Sequence, residues 1–344
     1  MTHLVSAASA LPGPPVGNDR IQERLGLSQE WIETFIGTRT RHFAVDLDSG
    51  EPGPTLADLC VLAAGRALDR AAAGPARLGP DGIAFVVLAT ATPDALMPTT
   101  AALVAERLGI TGAPVYQLQS GCSGAVQAFA LADALLTAGA PAGLVLGGDV
   151  CAKHLDLTRD FPRMPPGELV NYVLFGDGAG AAVVTAGPAG AVARLHAPLH
   201  HPALPGLPPG QRVAWYGAAD HDRGGPPVTE DYKAIEHRVP ELSERICAEL
   251  LDRCGWHGQQ LDYLLPPQLG GRMTAAITAR LRDRLGAGRA EEISCVAETG
   301  NTGNALVLTQ LERLLPLLAP GRRALCACVE SSKWITAGFG LEAL

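Results

Sequence analysis

A cysteine at the boundary between a predicted strand and a predicted helix is the strongest candidate for a chemically reactive residue in this chain. Cys122 lies between Gly121 and Gly124, after the run PVYQLQSG and before the helical run SGAVQAFALADALLTAG. Free backbone amides and the positive end of a helix dipole favour a thiolate over a thiol at such a position. We therefore predict that Cys122 is a nucleophile. The alternative is a small buried hydrophobe, which is the usual role of a free cysteine.

The elements around this cysteine predict an α/β fold. Continuous apolar runs bounded by turn residues indicate buried strands, and they alternate with helical patterns on both sides of a segment rich in Pro, Gly and His. The succession is similar in residues 1–186 and 229–344, which suggests an internal duplication and a mostly parallel sheet. Residues 187–228 are expected to form an irregular connection or a loop that shapes the substrate site.

The composition and the charge limit the classes of partner and of site that are expected. The 344 residues are 47% hydrophobic and carry a net charge of −8, which argues against nucleic acid or an anionic membrane as the main partner. The N-terminal run MTHLVSAASALPGPP lacks the pattern of a secretory signal, and no stretch has the length of a membrane span, so a cytoplasmic protein is expected. The eight cysteines are expected to be reduced, and their spacing predicts no metal site.

Several short stretches together resemble β-ketoacyl-acyl-carrier-protein synthase III of the thiolase superfamily, in that family's order and spacing. The resemblance implies a thiolase-like, duplicated five-layer αβαβα fold and a homodimer. It also implies a phosphopantetheine tunnel that leads to Cys122, which would accept an acyl group. A phosphopantetheine thioester is then a substrate, and no permanently bound cofactor is implied. The stretches are Trp31-Ile32, TATPD (90–94), PTTAALVAERLG (98–109), SGCSG (120–124), LFGDGAGAAVV (174–184), PPQLGGRM (266–273) and ETGNTGNA (298–305).

The sequence departs from the family at a central position. The family usually places a histidine and an asparagine beside the cysteine, where they hold the thioester carbonyl while a malonyl group loses CO₂. Asn301 matches the asparagine, although an Asn between glycines can also be only a turn residue. Pro267 stands at the histidine position, and Gly270 replaces an asparagine that commonly follows. Because losing one such donor costs on the order of a hundredfold in rate, efficient decarboxylation is not expected.

A second departure lies near the C-terminus. The glycine-rich turn that usually supplies an oxyanion amide in the family is replaced here by Glu330, Ser331 and Ser332, followed by Lys333 and Trp334. A carboxylate, two hydroxyl groups and the ammonium group of Lys333 are therefore expected to face the active site. The alternative is an ordinary turn at the end of a strand with solvated polar side chains.

The region implied to bind the acyl donor is also altered. Trp31 matches the residue that holds the adenine end of coenzyme A in relatives, but Phe35 stands where an arginine assists it. This change favours an acyl carrier protein as donor over coenzyme A. Arg272 matches a basic residue near the tunnel mouth, which an acidic carrier protein would contact.

The sequence leaves the catalytic base open. Exposed or capping histidines are far commoner than catalytic ones, so no single histidine is favoured. The available residues are His154, His200, His201, His237 and His257.

These observations favour an acyltransferase related to synthase III. Cys122 would take an acyl group from a carrier-protein or coenzyme A thioester and pass it to an alcohol, an amine or a carrier thiol, without decarboxylation. The resemblance places such enzymes in secondary-metabolite pathways. One alternative is a ketosynthase that condenses two thioesters with a non-standard site, and another is a non-catalytic subunit of a heteromeric ketosynthase.

Overall fold

Ten strands form the main sheet of the protein. The structure, a computed structural model, describes residues 1–156, 161–164, 166–202, 204–214 and 228–344. Four further short strands form two small ribbons. The strands are β1 His3–Ala10, β2 Val16–Gly17, β3 Thr40–Arg41, β4 Val86–Thr90, β5 Val115–Gln119, β6 Ala142–Asp149, β7 Gly178–Thr185, β8 Ala193–His201, β9 Gln211–Val213, β10 Val228–Glu230, β11 Tyr263–Leu265, β12 Glu291–Glu292, β13 Arg323–Glu330 and β14 Ile335–Ala343.

The main sheet consists of two sets of five strands with the same order. The first set runs β5-β4-β6-β7-β1, and the second runs β12-β11-β13-β14-β8. When the five strands of each set are numbered by their order along the chain, both sets have the spatial order third, second, fourth, fifth and first. The two sets meet where His3 and Leu4 of β1 pair with β8. This repetition agrees with the duplication that the sequence suggested.

The helices complete five layers. Helices α5 and α10 lie between the two sets of strands, where their apolar residues join one core cluster with both sheets. Helices α3 and α4 cover the outer face of the first set, and α7 and α8 cover the second. The helices are α1 Asn18–Leu25, α2 Gln29–Trp31 with a π-helical turn Ile32–Ile36, α3 Leu56–Ala73, α4 Thr100–Arg107, α5 Gly124–Thr137, α6 Pro166–Leu174, α7 Tyr232–Cys254, α8 Gly271–Arg284, α9 Val296–Thr299 and α10 Ala305–Leu314.

The layered arrangement is the thiolase-like fold that the resemblance implied. Within the described part of the chain, no helix combines the length and the apolar character that crossing a bilayer requires.

The segment 187–228 differs from the expectation of irregular structure. It contains β8, a nine-residue strand that pairs with β14 along most of its length, and the short strand β9. Histidines and a proline interrupt the apolar pattern of β8, and Ala197 adopts a positive φ of 47° where the register with β14 shifts. A strand with such an irregularity loses the alternation that marks strands in a sequence. Residues 203 and 215–227 of this segment lie outside the described residues.

Candidate active site

Cys122 lies where two cavities meet. It occupies the short turn between β5 and α5, two residues before the helix begins at Gly124. One space, the front cavity, is lined by Cys122 together with Glu230, Pro267, Asn301 and others. The other, the side chamber, is lined by Cys122 and by a mostly apolar set of residues. That set includes Ala91, Cys151, His154, Leu155, Phe175, Val213 and Val228.

The protonation of Cys122 differs from the expectation. We predicted that the helix start would favour a thiolate, but burial raises the pKa of the Cys122 thiol well above its ordinary value, and the carboxylates of Glu330 and Asp149 raise it further. Burial disfavours the charged form of the thiol, and nearby negative charges act in the same direction. The resting cysteine is therefore a thiol, and its attack on a thioester requires that the proton be removed as the bond forms.

Glu330 supports the nucleophile turn from behind. Its Oε2 accepts hydrogen bonds from the hydroxyl groups of Ser120, at 2.8 Å, and Ser123, at 2.6 Å. The Ser332 hydroxyl donates to the other carboxylate oxygen at 2.5 Å. Glu330 is buried and does not line either cavity. The carboxylate that we expected to face the active site therefore lies beneath Cys122, and Ser332 orients that carboxylate.

Ser331 takes a different place from its two neighbours. It is buried and lines the front cavity together with Cys122. Neither the backbone N–H of Cys122 nor that of Ser331 donates a hydrogen bond to another described residue. Two free amides beside a thiol are the groups that can hold the oxyanion of a tetrahedral intermediate.

Asn301 and Pro267 both line the front cavity, as the alignment of motifs implied. Asn301 is buried, and its Oδ1 accepts a hydrogen bond from the N–H of Gly303 at 3.0 Å. This bond leaves the side-chain NH₂ of Asn301 as the donor available to a ligand. Pro267 offers no side-chain donor, so one polar group of the family's usual pair is present and the other is absent.

Asp149 and Asn304 hold the turns of the two halves together. The carboxylate of Asp149 accepts hydrogen bonds from the backbone N–H of Ala91 at 2.7 Å and from the N–H and side-chain NH₂ of Asn304 at 2.8 and 2.9 Å. The same NH₂ group donates to the carbonyl of Ser120 at 2.9 Å. Burial raises the pKa of Asp149, and these hydrogen bonds oppose that effect. No local sequence pattern predicts this network, because its members come from four separate segments.

The residues predicted to bind the acyl donor share one surface groove. Trp31, Phe35 and Arg272 line this outer groove, whose volume is about 920 Å³. The rings of Trp31 and Phe35 lie 6.0 Å apart, and Arg272 donates to the carbonyl of Thr34 at 2.9 Å. Glu230 and Tyr232 line both the outer groove and the front cavity. The predicted donor site and the cavity at Cys122 are thus adjacent and share two lining side chains.

The structure separates the five histidines. Only His154 among them lines a cavity with Cys122, within the described part of the chain. Burial lowers the pKa of His154, and the charge of Lys153 lowers it further. His201 instead contacts Glu249 at 2.6 Å on the outer helix layer, whereas His200, His237 and His257 are exposed and away from the cavities.

Glu230 and Gln211 are site residues that the sequence reasoning missed. They face each other across the ribbon of β9 and β10, and Gln211 Nε2 donates to Glu230 Oε1 at 2.6 Å. Gln211 lines both cavities, and Glu230 lines the front cavity. Burial raises the pKa of Glu230 to about 7. Helix α7 begins two residues after Glu230, at Tyr232.

Comparisons with known proteins identify the family of this chain. Residues 116–200 match the family model described as 3-oxoacyl-[acyl-carrier-protein] synthase III. The β-ketoacyl-[acyl-carrier-protein] synthase III 3 of Streptomyces coelicolor is 34% identical over 336 residues, which cover 94% of this chain and 91% of the relative.

Two solved structures are similar over nearly the full chain. AbyA1, described as a tetronic acid condensing enzyme, is 55% identical with a TM-score of 0.93, covering 99% of this chain and 100% of that one. The priming β-ketosynthase of the R1128 polyketide biosynthetic pathway is 25% identical with a TM-score of 0.81, covering 100% and 96%. Sequence and fold together assign the chain to the β-ketoacyl-[acyl-carrier-protein] synthase III family.

Proposed function

We propose that this protein is a condensing enzyme of the tetronic acid type, in which Cys122 takes an acyl group from a carrier-protein thioester and passes it to a hydroxyl group. The observation that carries the proposal is the 55% identity to AbyA1 over 99% of the chain. The acceptor that the sequence left open, an alcohol, an amine or a thiol, is then an alcohol.

The structure of a tetronic acid defines the substrates. The ring is a five-membered lactone with an enolised keto group. One acyl thioester with an acidic α-carbon supplies the lactone carbonyl and the carbon next to it. A 2-hydroxyacyl thioester supplies the ring oxygen, the carbon that carries it and the keto carbon. Joining the two requires one new C–O bond and one new C–C bond, and no carbon is lost.

The first half of the reaction uses the nucleophile turn. The sulfur of Cys122 attacks the acyl thioester, the C–S bond to the carrier breaks, and the released carrier thiol takes up the proton that Cys122 loses. In this proposal the N–H groups of Cys122 and Ser331, which donate to no other described residue, hold the oxyanion. The apolar side chamber suits the acyl chain, and the path from the outer groove suits the phosphopantetheine arm.

The second half joins the two substrates. The hydroxyl oxygen attacks the acyl carbon, the bond to the sulfur of Cys122 breaks, and the proton of the hydroxyl group ends on that sulfur. The acidic α-carbon then loses a proton and attacks the remaining thioester, whose thiol leaves with that proton. The NH₂ group of Asn301 is the available donor for the enolate oxygen. Since no CO₂ leaves, Pro267 in place of a histidine is compatible with this chemistry.

The partners follow from the same proposal. An acyl carrier protein delivers the acyl group, and Arg272 at the outer groove is the basic residue that such an acidic partner would contact. Phosphopantetheine thioesters are substrates, and no resident cofactor is required. We also propose a homodimer.

Intact-protein mass spectrometry tests the proposal. Wild-type protein is incubated with 3-oxoacyl thioesters of carrier protein and of coenzyme A, and then with a 2-hydroxyacyl thioester. We expect a mass increase of one acyl group, its loss after the second addition, and a product that contains both acyl parts. Cys122→Ala should show no adduct, while Cys254→Ala, which removes a partly exposed thiol elsewhere, should behave as wild type. Absence of any adduct with either donor contradicts the proposal.

A decarboxylating condensation is the second candidate. It is favoured by the name of the Streptomyces coelicolor relative and by the preserved NH₂ group of Asn301 in the front cavity. Release of CO₂ from a malonyl thioester in the same incubation, lost in Asn301→Ala, would support this candidate over the first.

A further inference from the structure

We propose that Glu230 is the general base that accepts the hydroxyl proton when the acceptor attacks acyl-Cys122. This inference rests on the proposed function, because it assigns the proton transfer of that reaction. Among the described residues that line the front cavity, Glu230 is the only carboxyl group. It lies between the outer groove and Cys122, on the route that an acceptor would take.

The ribbon of β9 and β10 orients the carboxyl group. Glu230 and Gln211 are directly opposed in the antiparallel register, so their side chains lie on the same face of the ribbon. The 2.6 Å bond from Gln211 fixes Oε1, and no described residue donates to Oε2. The N–H of Asp231, the next residue, donates to the carbonyl of Gly210 at 2.7 Å and anchors the end of the ribbon.

Glu230 lies close enough to Cys122 to act on it electrostatically. Its carboxylate is one of the charges that raise the pKa of the Cys122 thiol, after burial and the nearer carboxylates. Burial brings the pKa of Glu230 itself to about 7, where a carboxylate is a stronger base than at its ordinary pKa. Among the described residues, two sets of ionisable groups surround Glu230. Those that share the front cavity or the outer groove with it are Cys122, Cys328, Asp231, Tyr232, Lys233, Glu236 and Arg272. The elements that pack against β10 add Arg212 on β9 and Glu168 and Tyr172 on α6.

A general base matters more for the deacylation of Cys122 by a hydroxyl group than for its acylation. When a thioester acylates Cys122, the carrier thiolate that leaves can take up the proton that the Cys122 thiol loses, so no separate base is required. When a hydroxyl group attacks acyl-Cys122, the attacking group is a far weaker acid and gains most from a positioned base. Glu230 takes the proton as the C–O bond forms, the C–S bond breaks, and the thiolate of Cys122 then receives the proton from Glu230.

Single-turnover deacylation of preformed acyl-Cys122 tests the role of Glu230. The loss of the acyl group from Cys122 is followed by mass spectrometry between pH 5 and 9, with a 2-hydroxyacyl thioester or with water as acceptor. In wild type we expect the deacylation rate to rise with pH and then level off, so that the pH profile has a rising limb near pH 7. Glu230→Gln should form acyl-Cys122 to the same extent but deacylate about 100-fold more slowly, without that limb. Glu241→Gln, which removes an exposed carboxylate on α7, should match wild type.

The outcomes separate this inference from the proposed function. A rate in Glu230→Gln within about threefold of wild type with the same limb would overturn the role of Glu230, and so would a wild-type profile without a limb near pH 7. If wild-type acyl-Cys122 does not acylate the hydroxyl group at all, the proposed function fails. The role of Glu230 is then decided by the pH profile of hydrolysis, which needs the same base.

Discussion

The hydroxyl group of Ser123 donates a 2.6 Å hydrogen bond to the carboxylate of Glu330, 207 positions later in the chain. This bond joins the turn that carries Cys122, in the first half, to the last residue of β13, in the second. The same carboxylate raises the pKa of the Cys122 thiol. Glu330 therefore orders the nucleophile turn and at the same time opposes ionisation of the nucleophile.

Replacing Glu330 by glutamine separates these two effects. The glutamine oxygen can still accept from Ser120 and Ser123, so the turn should keep its shape, but the negative charge is gone. We expect the pKa of Cys122 to fall and its alkylation by iodoacetamide at pH 8 to become roughly tenfold faster. The pH dependence of alkylation measures this change. Glu241→Gln should leave the rate unchanged, and an unchanged rate in Glu330→Gln would contradict the electrostatic role.

Restoring a donor at position 267 should restore part of the family's usual chemistry. In Pro267→His the imidazole would enter the front cavity opposite the NH₂ group of Asn301, so two donors could hold the developing enolate. We expect the release of CO₂ from a malonyl thioester to rise by about tenfold or more over wild type. Pro267→Ala is the matched control, because it removes the proline without adding a donor. An equal rise in both variants would show that the added donor is not the cause.

The titration of Glu230 should also appear in stability. Its folded pKa of about 7 lies above its ordinary value of 4.5, so the folded state binds more protons between these pH values. The free energy of unfolding of wild type should therefore fall as pH rises through this window, by at most about 3 kcal/mol from this residue. Glu230→Gln should lack that contribution and gain stability relative to wild type between pH 5 and 7. Urea denaturation at several pH values measures the difference in free energy of unfolding between variant and wild type. For Glu241→Gln this difference should not change with pH.

Two glycines, the buried Gly143 and the partly exposed Gly65, should respond to alanine in opposite directions. A Cβ atom at Gly143 would lie 2.1 Å from the ring of Phe85, whereas one at Gly65, inside α3, would meet nothing within 4 Å. Gly143→Ala should therefore lower the free energy of unfolding by about 1–3 kcal/mol. Gly65→Ala should raise it by about 0.5–1 kcal/mol. Urea midpoints that shift in the same direction would show that the packing around Gly143 adapts.

Local signals were sufficient for the strand–turn–helix around Cys122. The apolar run, the glycines and the helical pattern all lie within residues 114–139, and the structure has β5, the turn and α5 in that order. Strand β8 escaped prediction because its irregular register removes the alternation on which the prediction depends. Predictions from sequence thus succeeded where one segment carries the whole signal.

The electrostatics of the site could not be predicted in this way. The pKa of Cys122 depends on burial and on Glu330 and Asp149, which are distant in sequence. Glu230 carries no motif, and only the pairing of β9 with β10 brings it to the cavity. The motif comparison did place Asn301 and Pro267 in the front cavity and Trp31 and Arg272 in the outer groove.

The repeated strand order has a consequence for how activity arises during folding. In each half, the chain after the third strand leads to a central helix, α5 after Cys122 in the first and α10 after Asn301 and Asn304 in the second. The first copy carries the sulfur of Cys122. The second copy carries the side-chain amide of Asn301 and the carboxylate of Glu330, which lies beneath Cys122. Neither copy contains a reactive centre by itself. In the reaction that we propose, acylation of Cys122 should therefore report that the C-terminal copy has docked, and a chain that ends before β13 is complete should not be acylated by thioesters.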